Sequence, residues 1–595
     1  MKPDQLLAQP TVVEVHCNLK SLGAYVSVWA FMAAASSAQP LIRSDGSGIV
    51  NAASYAAQGL PNSPVAQGSI FTIFGSGLGP ERGVEVSAYP LTTSFQGVSI
   101  GISQGDTTVA ALPLYVSASQ INAIMPSGAP LGADVIAVTF DGQSSPSCQG
   151  CPGTMIEVVP ASFGIFAVNK AGSGLGLFTN SKNSLISLTS AATAGEVLNI
   201  WGTGLGAIQG SDTEPPLAGN VGSVIPKIYV GGVEVEATYH GRSPCCSGLD
   251  QIQFQVPPKV AGCNVPVAVQ IGSIVSNFVS LAIASEDNSC SGVNGLPAPD
   301  FTDFAAQGAM STGYVGLSRL VFTQVQTQTF FPMATGSVTS TQDYAYGNFE
   351  KYDYANFSLT ELPLQILNLG ACSVYTFNPG LTSMPPFQVA TPTVNSLPGV
   401  GLDAGTTITI NGPNGQKQIV PVASPFPASV GNYGAELGIS PGSTALYLTR
   451  GSYTISSKGG NDVGPFTAAV QMPPALTWTN QSSMNNITRA NGVTVTWSGA
   501  DSGGYVLVSG ISLGAIGGAA GFNCTADAAS GQFTVPPSVL LALPPSGVNE
   551  SDGIDTSDAW LGVGIATPPV TLNATGLGLG QAISSSSISR SVAYE

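Results

Sequence analysis

"GSIFTIFGSGLGP", Gly68–Pro80, joins a strand-like apolar run to a knot of glycines. A nucleotide-binding turn looks much the same, so the residues that follow decide the fold. A dinucleotide fingerprint needs a helix directly after the glycines, because the helix N-terminus holds the pyrophosphate. After Gly79 the chain reads "PERGVEVSAYPL", where proline and glycine interrupt any helical period. The stretch also recurs as "GEVLNIWGTGLGA" from Gly195, an offset of 127 residues, and the "AIQGSDTEPPLAG" behind it is equally unfit for a helix. No nucleotide is therefore expected. Gly75, Gly77 and Gly79, with Gly202, Gly204 and Gly206, are read as supplying positive φ in a tight strand connection.

Two further landmarks keep the spacing. "QINAIMP" ends at Pro126 and "QIQFQVP" at Pro257, an offset of 131, while Gly142 in "VTFDGQSSP" matches Gly272 in "VQIGSIVSN" at 130. Landmarks repeated in order at one spacing indicate an internal duplication of a domain. In the second copy Ile252, Phe254 and Val256 alternate with Gln251, Gln253 and Gln255, the period of a strand with one buried face. A proline closes each run, where a missing N–H harms the ladder least. Each copy reads as an antiparallel sandwich of immunoglobulin-like size.

Composition agrees. The chain has 595 residues, enough for several domains, with 43% hydrophobic and 8% charged residues, 73 glycines and 43 prolines. Short runs of strand formers between turn residues predict an all-β protein. The net charge is −17 and the basic residues are scattered, so no surface exists to neutralise phosphates and nucleic acid is excluded as a partner. Leu22–Ala35, "LGAYVSVWAFMAAA", followed by Ser36 and Ala38, reads as a secretory signal over residues 1–38. Membrane association would come only through that segment left uncleaved. Cys17 precedes the apolar run and leaves with the signal, so eight of the nine cysteines remain, an even number that suits disulfides in an exported chain. Cys148 and Cys151 can close a small loop; Cys245, Cys246, Cys263 and Cys290 form a group with two bridges of open connectivity; Cys372 and Cys524 pair across the C-terminal half.

"GSIFTIFGSGLG", "LYVSASQINAIMP", "VPASFGIF", "GEVLNIWGTGLG" and "GLDQIQFQVP" resemble the paired IPT/TIG-like (immunoglobulin-like) domains of large secreted acidobacterial proteins. The resemblance covers about Asn51 to Ser285 and implies an exported binding or structural module; it brings no catalytic residues. Trp201 departs from it, standing where a smaller polar residue is common.

The expected domains are 39–165 and 166–288 for the two copies, a linker at 289–300, a larger β-sandwich over 301–472 and a C-terminal immunoglobulin-like sandwich over 473–595, also similar to parts of such secreted chains. In the third, "TTITINGPNGQKQIV" has hairpin chemistry, with Asn414-Gly415 as the turn. In the fourth, Pro536–Leu543 suggests one short helical turn.

Candidate sites are few. Ser103 in "GISQG" and Ser512 in "GISLG" fit a nucleophile pattern that needs a strand-to-helix turn, which neither context offers. His240 is the single histidine of the mature chain and the sole general base available to either serine. Glu234 and Glu236 share one strand face, whereas glycosidases set two carboxyls about 5 to 9 Å apart across a cleft. Asp552, Asp555 and Asp558 in "NESDGIDTSDAW" have the oxygen density of a calcium clip without EF-hand spacing, and zinc on Cys148, Cys151 and the vicinal Cys245 and Cys246 lacks the second C-x-x-C knuckle or the histidines such a site favours, so calcium is the one cofactor retained. "DYAYGNFEKYDYANF", Asp343–Phe357, carries Tyr344, Tyr346, Tyr352 and Tyr354 among amides and carboxylates, a composition suited to stacking on sugar rings.

The expectation is an exported, non-enzymatic multidomain β protein, acting at the cell surface or outside the cell in binding, adhesion or architecture, with polysaccharide or a surface protein as partner. The alternative is a secreted hydrolase or polysaccharide-active enzyme with its site in 301–595.

Overall fold

The computed structural model describes residues 39–146, 154–219, 221, 224–286, 289–290, 301–328, 336–355, 367–377, 399–422, 430–442, 444–500, 504–515, 517–551 and 554–595. The expected signal and the Cys148–Cys151 loop lie outside them. The fold is all-β, built from immunoglobulin-like sandwiches and one extended sheet, as alternation and turn chemistry require.

The first sandwich packs one sheet, centred on Ile70–Ser76 and Gln120–Ile124, against a second, centred on Val98–Gln104 and Gly132–Phe140. Phe71, Ile73, Ile100, Ile121, Ile136 and Val138 fill the space between. The duplication is visible in the register. Ile73 pairs with Ile121 and Phe71 with Ala123 in the first copy; Ile200 pairs with Ile252 and Leu198 with Phe254 in the second. In the second sandwich the ten-residue strand Val233–Arg242 serves both layers, pairing early with Lys227–Val230 and late with Asp250–Gln255. Trp201 is half-buried there, and its indole N–H donates to Thr179 Oγ1 at 2.9 Å.

The glycine turns divide their work differently from the expectation. Gly77 and Gly204 do hold positive φ, at 63° and 113°. Gly75 and Gly202 do not, and are needed for space: a Cβ at Gly75 would lie 2.1 Å from the Leu41 carbonyl, and one at Gly202 2.2 Å from the Phe163 ring. Several of the turn N–H groups already have acceptors within the chain. Leu78 N–H donates to the Ala118 carbonyl at 3.0 Å, while Gly204 and Leu205 N–H both donate to Asp250 Oδ2 at 2.8 Å. The second turn thus holds an anion after all, and it is the chain's own carboxylate.

Asp250 also pairs with Arg242, Nε to Oδ1 at 2.9 Å, and both side chains are almost wholly buried. Burial pushes the Asp250 carboxyl up, and Arg242 with the two turn N–H groups pulls it back. Arg242 Nη1 donates to the Gly68 carbonyl at 2.7 Å and Nη2 to the Gly206 carbonyl at 3.1 Å, so one guanidinium binds the glycine stretches of both copies. With Ile70 N–H on Thr203 Oγ1 at 2.8 Å and Ser127 on Asp212, this makes the junction a packed joint crossed by hydrogen bonds and one ion pair.

Three boundaries need correction. Phe163 and Ile165 belong to the second core, with Gly164–Ile165 pairing against Val197–Thr203, so the second sandwich starts before 166. Ser289–Cys290 pairs with Val279–Glu286, which moves the expected linker at least two residues on. Most consequentially, residues 301–472 and 473–595 share one sheet. Ala309–Gln328 pairs antiparallel with Gly336–Asp353 on one side and parallel with Leu579–Ser591 on the other. The sheet runs on through Ala559–Ala566, Tyr505–Leu513 and Ala519–Asp527 to Cys372–Thr376, and in the other direction through Asn432–Ser440 and Gly415–Pro421 to Phe466–Met472. One face carries two cores. Trp478, Trp497, Val508, Phe522 and Val563 form the first, and Phe349, Tyr433, Ile455 and Phe466 the second.

The expected hairpin over 408–421 forms with Gly412 facing Gly415, so Pro413 and Asn414, rather than Asn414-Gly415, make its loop. The short helix is present at Pro537–Leu540, and a second one, Phe301–Gln307, precedes the long hairpin. Cys263 is bonded to Cys290 and Cys372 to Cys524. The group of four thus supplies the Cys263–Cys290 bridge, while Cys245 and Cys246 stand apart from that pair in the turn before Asp250, Cys245 accepting from Ser243 Oγ at 3.3 Å.

Candidate functional site

Alternation along Gly336–Asp353 sends Asp343, Ala345 and Phe349 to the core side, where Phe349 stacks on Phe466 with ring centres 5.8 Å apart. Gln342, Tyr344, Tyr346, Asn348 and Glu350 therefore share the opposite face, and all five are half-buried. Across the strand register, Asn432, Gly434 and Glu436 lie beside Asn348, Tyr346 and Tyr344. The result is a strip in which phenol rings alternate with amides and carboxylates on a rigid sheet.

The four expected tyrosines do not form one platform. Tyr344 hydrogen-bonds Gln342, and its phenol is raised by burial and then by nearby Glu436. Tyr346 lies over Gly316, where a Cβ would sit 2.7 Å from its ring, and its hydroxyl meets that of Tyr314 at 3.0 Å. Burial pushes Tyr346 up to about 12, with the Tyr314 bond pulling the other way. Tyr352 is only 7% exposed and packs into a cluster with Cys263, Cys290, Phe301 and Met310, against which Tyr354 also rests. The last two are contacts between the second sandwich and the long hairpin. Asn432 and Glu436 complete the strip, while Tyr314, 4% exposed, belongs to a buried cluster against which Tyr346 packs; all three escaped sequence reading, because their proximity depends on pairing between distant strands. Asn348 Nδ2 donates to Asn432 Oδ1 at 2.9 Å and to Glu350 Oε1 at 3.1 Å, fixing the amide row.

Asp552 and the side chain of Asp555 lie outside the described residues, and Asp558 exchanges backbone bonds with Gly547 and Leu513. Among the described residues no group of three or more His, Cys, Asp or Glu side chains is placed to hold a metal ion. Ser103 sits on strand Val98–Gln104 beside Thr108, and Ser512 Oγ donates to the Pro544 carbonyl at 2.8 Å within strand Tyr505–Leu513. Neither occupies a strand-to-helix turn. His240 pairs across strands with Ile252, and Glu234 forms an exposed ion pair with Lys227 at 3.4 Å. Among the described residues no helix is long and apolar enough to cross a membrane.

No family model matches the chain, and no curated protein matches it. Among solved structures, it is similar to SGBP-B of the Bacteroides ovatus mixed-linkage glucan utilization locus, in complex with a mixed-linkage heptasaccharide, at 15% identity and TM-score 0.19 over 49% of this chain and 69% of that one. The full extracellular region of plexin A4 matches at 12% identity and TM-score 0.17, over 91% of this chain and 31% of that one. Fibronectin(III)-like modules of Clostridium thermocellum CbhA match at 15% identity and TM-score 0.10, over 38% of this chain and 94% of theirs. Likenesses this distant carry no argument about ligand, and the fold class rests on the strand pairing.

Proposed function

We propose that the chain is an exported, non-enzymatic β protein that works at the cell surface or outside the cell as a binding and structural module, with polysaccharide as its ligand. The observation that carries this reading is the half-exposed strip of Tyr344 and Tyr346 set among Gln342, Asn348, Glu350, Asn432 and Glu436 on one sheet face. Phenol rings offer an apolar face to a sugar ring while the neighbouring amides and carboxylates take its hydroxyls. A sheet fixed by two cores on its other face holds these groups in place without cost on binding. The bonded pairs Cys263–Cys290 and Cys372–Cys524 support an oxidising compartment.

The test is retention on insoluble polysaccharides by affinity electrophoresis and pull-down. Tyr344→Ala should weaken retention up to about tenfold, in line with ~0.5–1.5 kcal/mol for an aromatic contact, and leave the melting temperature unchanged. Tyr352→Ala, placed in the packed cluster, should lower the melting temperature instead. Retention of Tyr344→Ala equal to wild type on every polysaccharide that holds the wild type would overturn the strip as the site.

A further inference from the structure

We propose that the cavity between the first sandwich and the C-terminal region is a second binding site, and that it takes an acidic saccharide residue, a uronide whose carboxylate pairs with Arg489. The cavity holds about 320 Å³, at the lower end of the range for small-molecule sites. Its walls come from the loop around Gln58 to Pro64, the strand Met155–Val159, Arg489 and Pro545. The two regions are held together there by packing, since Ala56 and Leu60 are buried in the core that contains Trp478 and Trp497.

Arg489 is the group that identifies the ligand. Its Nη1 donates to the Leu543 carbonyl at 2.7 Å, its Nε is enclosed by the protein, and among the described residues no carboxylate pairs with it. A half-buried guanidinium without counter-charge favours an anion, and a carboxylate is the anion that guanidinium N–H groups hold by charge-assisted bonds. Burial also lowers the Arg489 guanidinium from its ordinary value, as expected for a cation short of counter-charge. The remaining polar groups narrow the class. Glu157 lines the same space and is exposed, so it repels an anion by only a modest, solvent-screened amount and accepts hydroxyl donors. Gln58 and Ser63 add hydroxyl partners, and Pro61 and Pro545 offer an apolar surface to a ring. One carboxylate, several hydroxyls and a partly apolar ring describe a uronide. The net charge of −17 repels a polyanion at long range, so recognition has to be made by this local cation.

The experiment is calorimetric titration of the full chain with a galacturonate trimer, a neutral galactose trimer and triglutamate at physiological salt. Saturable binding of the galacturonate trimer alone is expected, weakened tenfold or more (about 1.4 kcal/mol) in Arg489→Gln. Glu157→Gln, on an exposed side chain, should fold as wild type and tighten the same trimer about two- to fivefold by removing the like charge. Should Arg489→Gln fail to fold, Glu157→Gln decides alone. No binding of the galacturonate trimer, equal binding of the neutral trimer, preference for triglutamate, or an unchanged affinity in Glu157→Gln would overturn the assignment. Tyr344→Ala leaves this binding intact, so failure here and failure of the tyrosine strip are separate results.

Discussion

Asp134 stands in strand Gly132–Phe140 on the same side as Ile136 and Val138, fully buried, and neither of its carboxylate oxygens has a hydrogen-bond partner. Asp250 and Asp343, equally buried, are each met by an arginine and two backbone N–H groups. The contrast sets the energetics: desolvation without compensation disfavours the charged form and pushes Asp134 up to about 6 from 3.8. A carboxyl whose folded value is raised contributes stability that is complete below the unfolded value near 3.8 and is lost as pH rises through about 6. At neutral pH the wild-type chain therefore carries an unpaired charge in an apolar layer. Asp134→Asn removes it, and the variant should melt several degrees higher than wild type at pH 7.5. The gap should shrink through pH 6 and vanish near pH 4, where the wild-type carboxyl is protonated. A variant less stable than wild type at pH 7.5, in melting curves across this range, would show that a partner for Asp134 exists.

The long hairpin, Ala309–Gln328 with Gly336–Asp353, is paired on both edges and carries one buried acid that ties it to a segment outside those pairings. Asp343 takes two bonds from Arg319, at 2.7 and 2.8 Å, and accepts the N–H groups of Tyr447 and Leu448, both at 2.7 Å. It thereby fastens the segment before Gly451–Ser457 onto the hairpin. Replacing it by alanine leaves a cation and two buried N–H groups unpaired, and should cost about 3–5 kcal/mol in urea unfolding. A loss below about 1 kcal/mol would mean that water replaces the carboxylate. The hairpin also shows where local reading succeeds and stops. The repeat landmarks bring the registers of both N-terminal copies with them, whereas "DYAYGNFEKYDY" reads as a row of aromatics and amides without saying how the strand divides them between its faces. Nothing local says which face meets a core, because Tyr344 and Phe349 are equally good strand formers. Nor does "LGQAISSSSISRS" announce itself as the partner of a strand more than 250 residues away; its serines fit only because the neighbours across the sheet, Gly562 and Gly564, are small. The glycine knot was legible as a turn, yet its role as a carboxylate clamp depended on Asp250 arriving from the next strand pair.

At the scale of the molecule, that shared sheet changes what the C-terminal half is. The expected boundary falls at Pro473, but the first long strand of this half is flanked by one strand from 336–353 and one from 579–591. Two cores grown on one face of a common sheet cannot lose one and keep the other without tearing backbone pairs, so residues 301–595 should unfold as one cooperative unit. The cystine Cys372–Cys524 reinforces this unit: it joins directly opposed residues on adjacent strands, closes a separation of 152 residues and is buried on both sides. A cross-link over so long a loop limits the unfolded chain strongly, worth about 5 kcal/mol in the chain-entropy description, against roughly 3–4 kcal/mol for Cys263–Cys290 across its shorter loop. The double variant Cys372→Ser with Cys524→Ser should therefore lower the calorimetric midpoint of the C-terminal transition by several degrees while that transition stays single. The transition of the two N-terminal sandwiches, which keep Cys263–Cys290 and the Arg242–Asp250 joint, should shift less, and only through the contacts of Ala56, Leu60 and the Cys263 cluster with the C-terminal half. A split of the C-terminal transition into separate 301–472 and 473–595 events would refute the common sheet, because independent domains are the one arrangement that allows each core to melt alone.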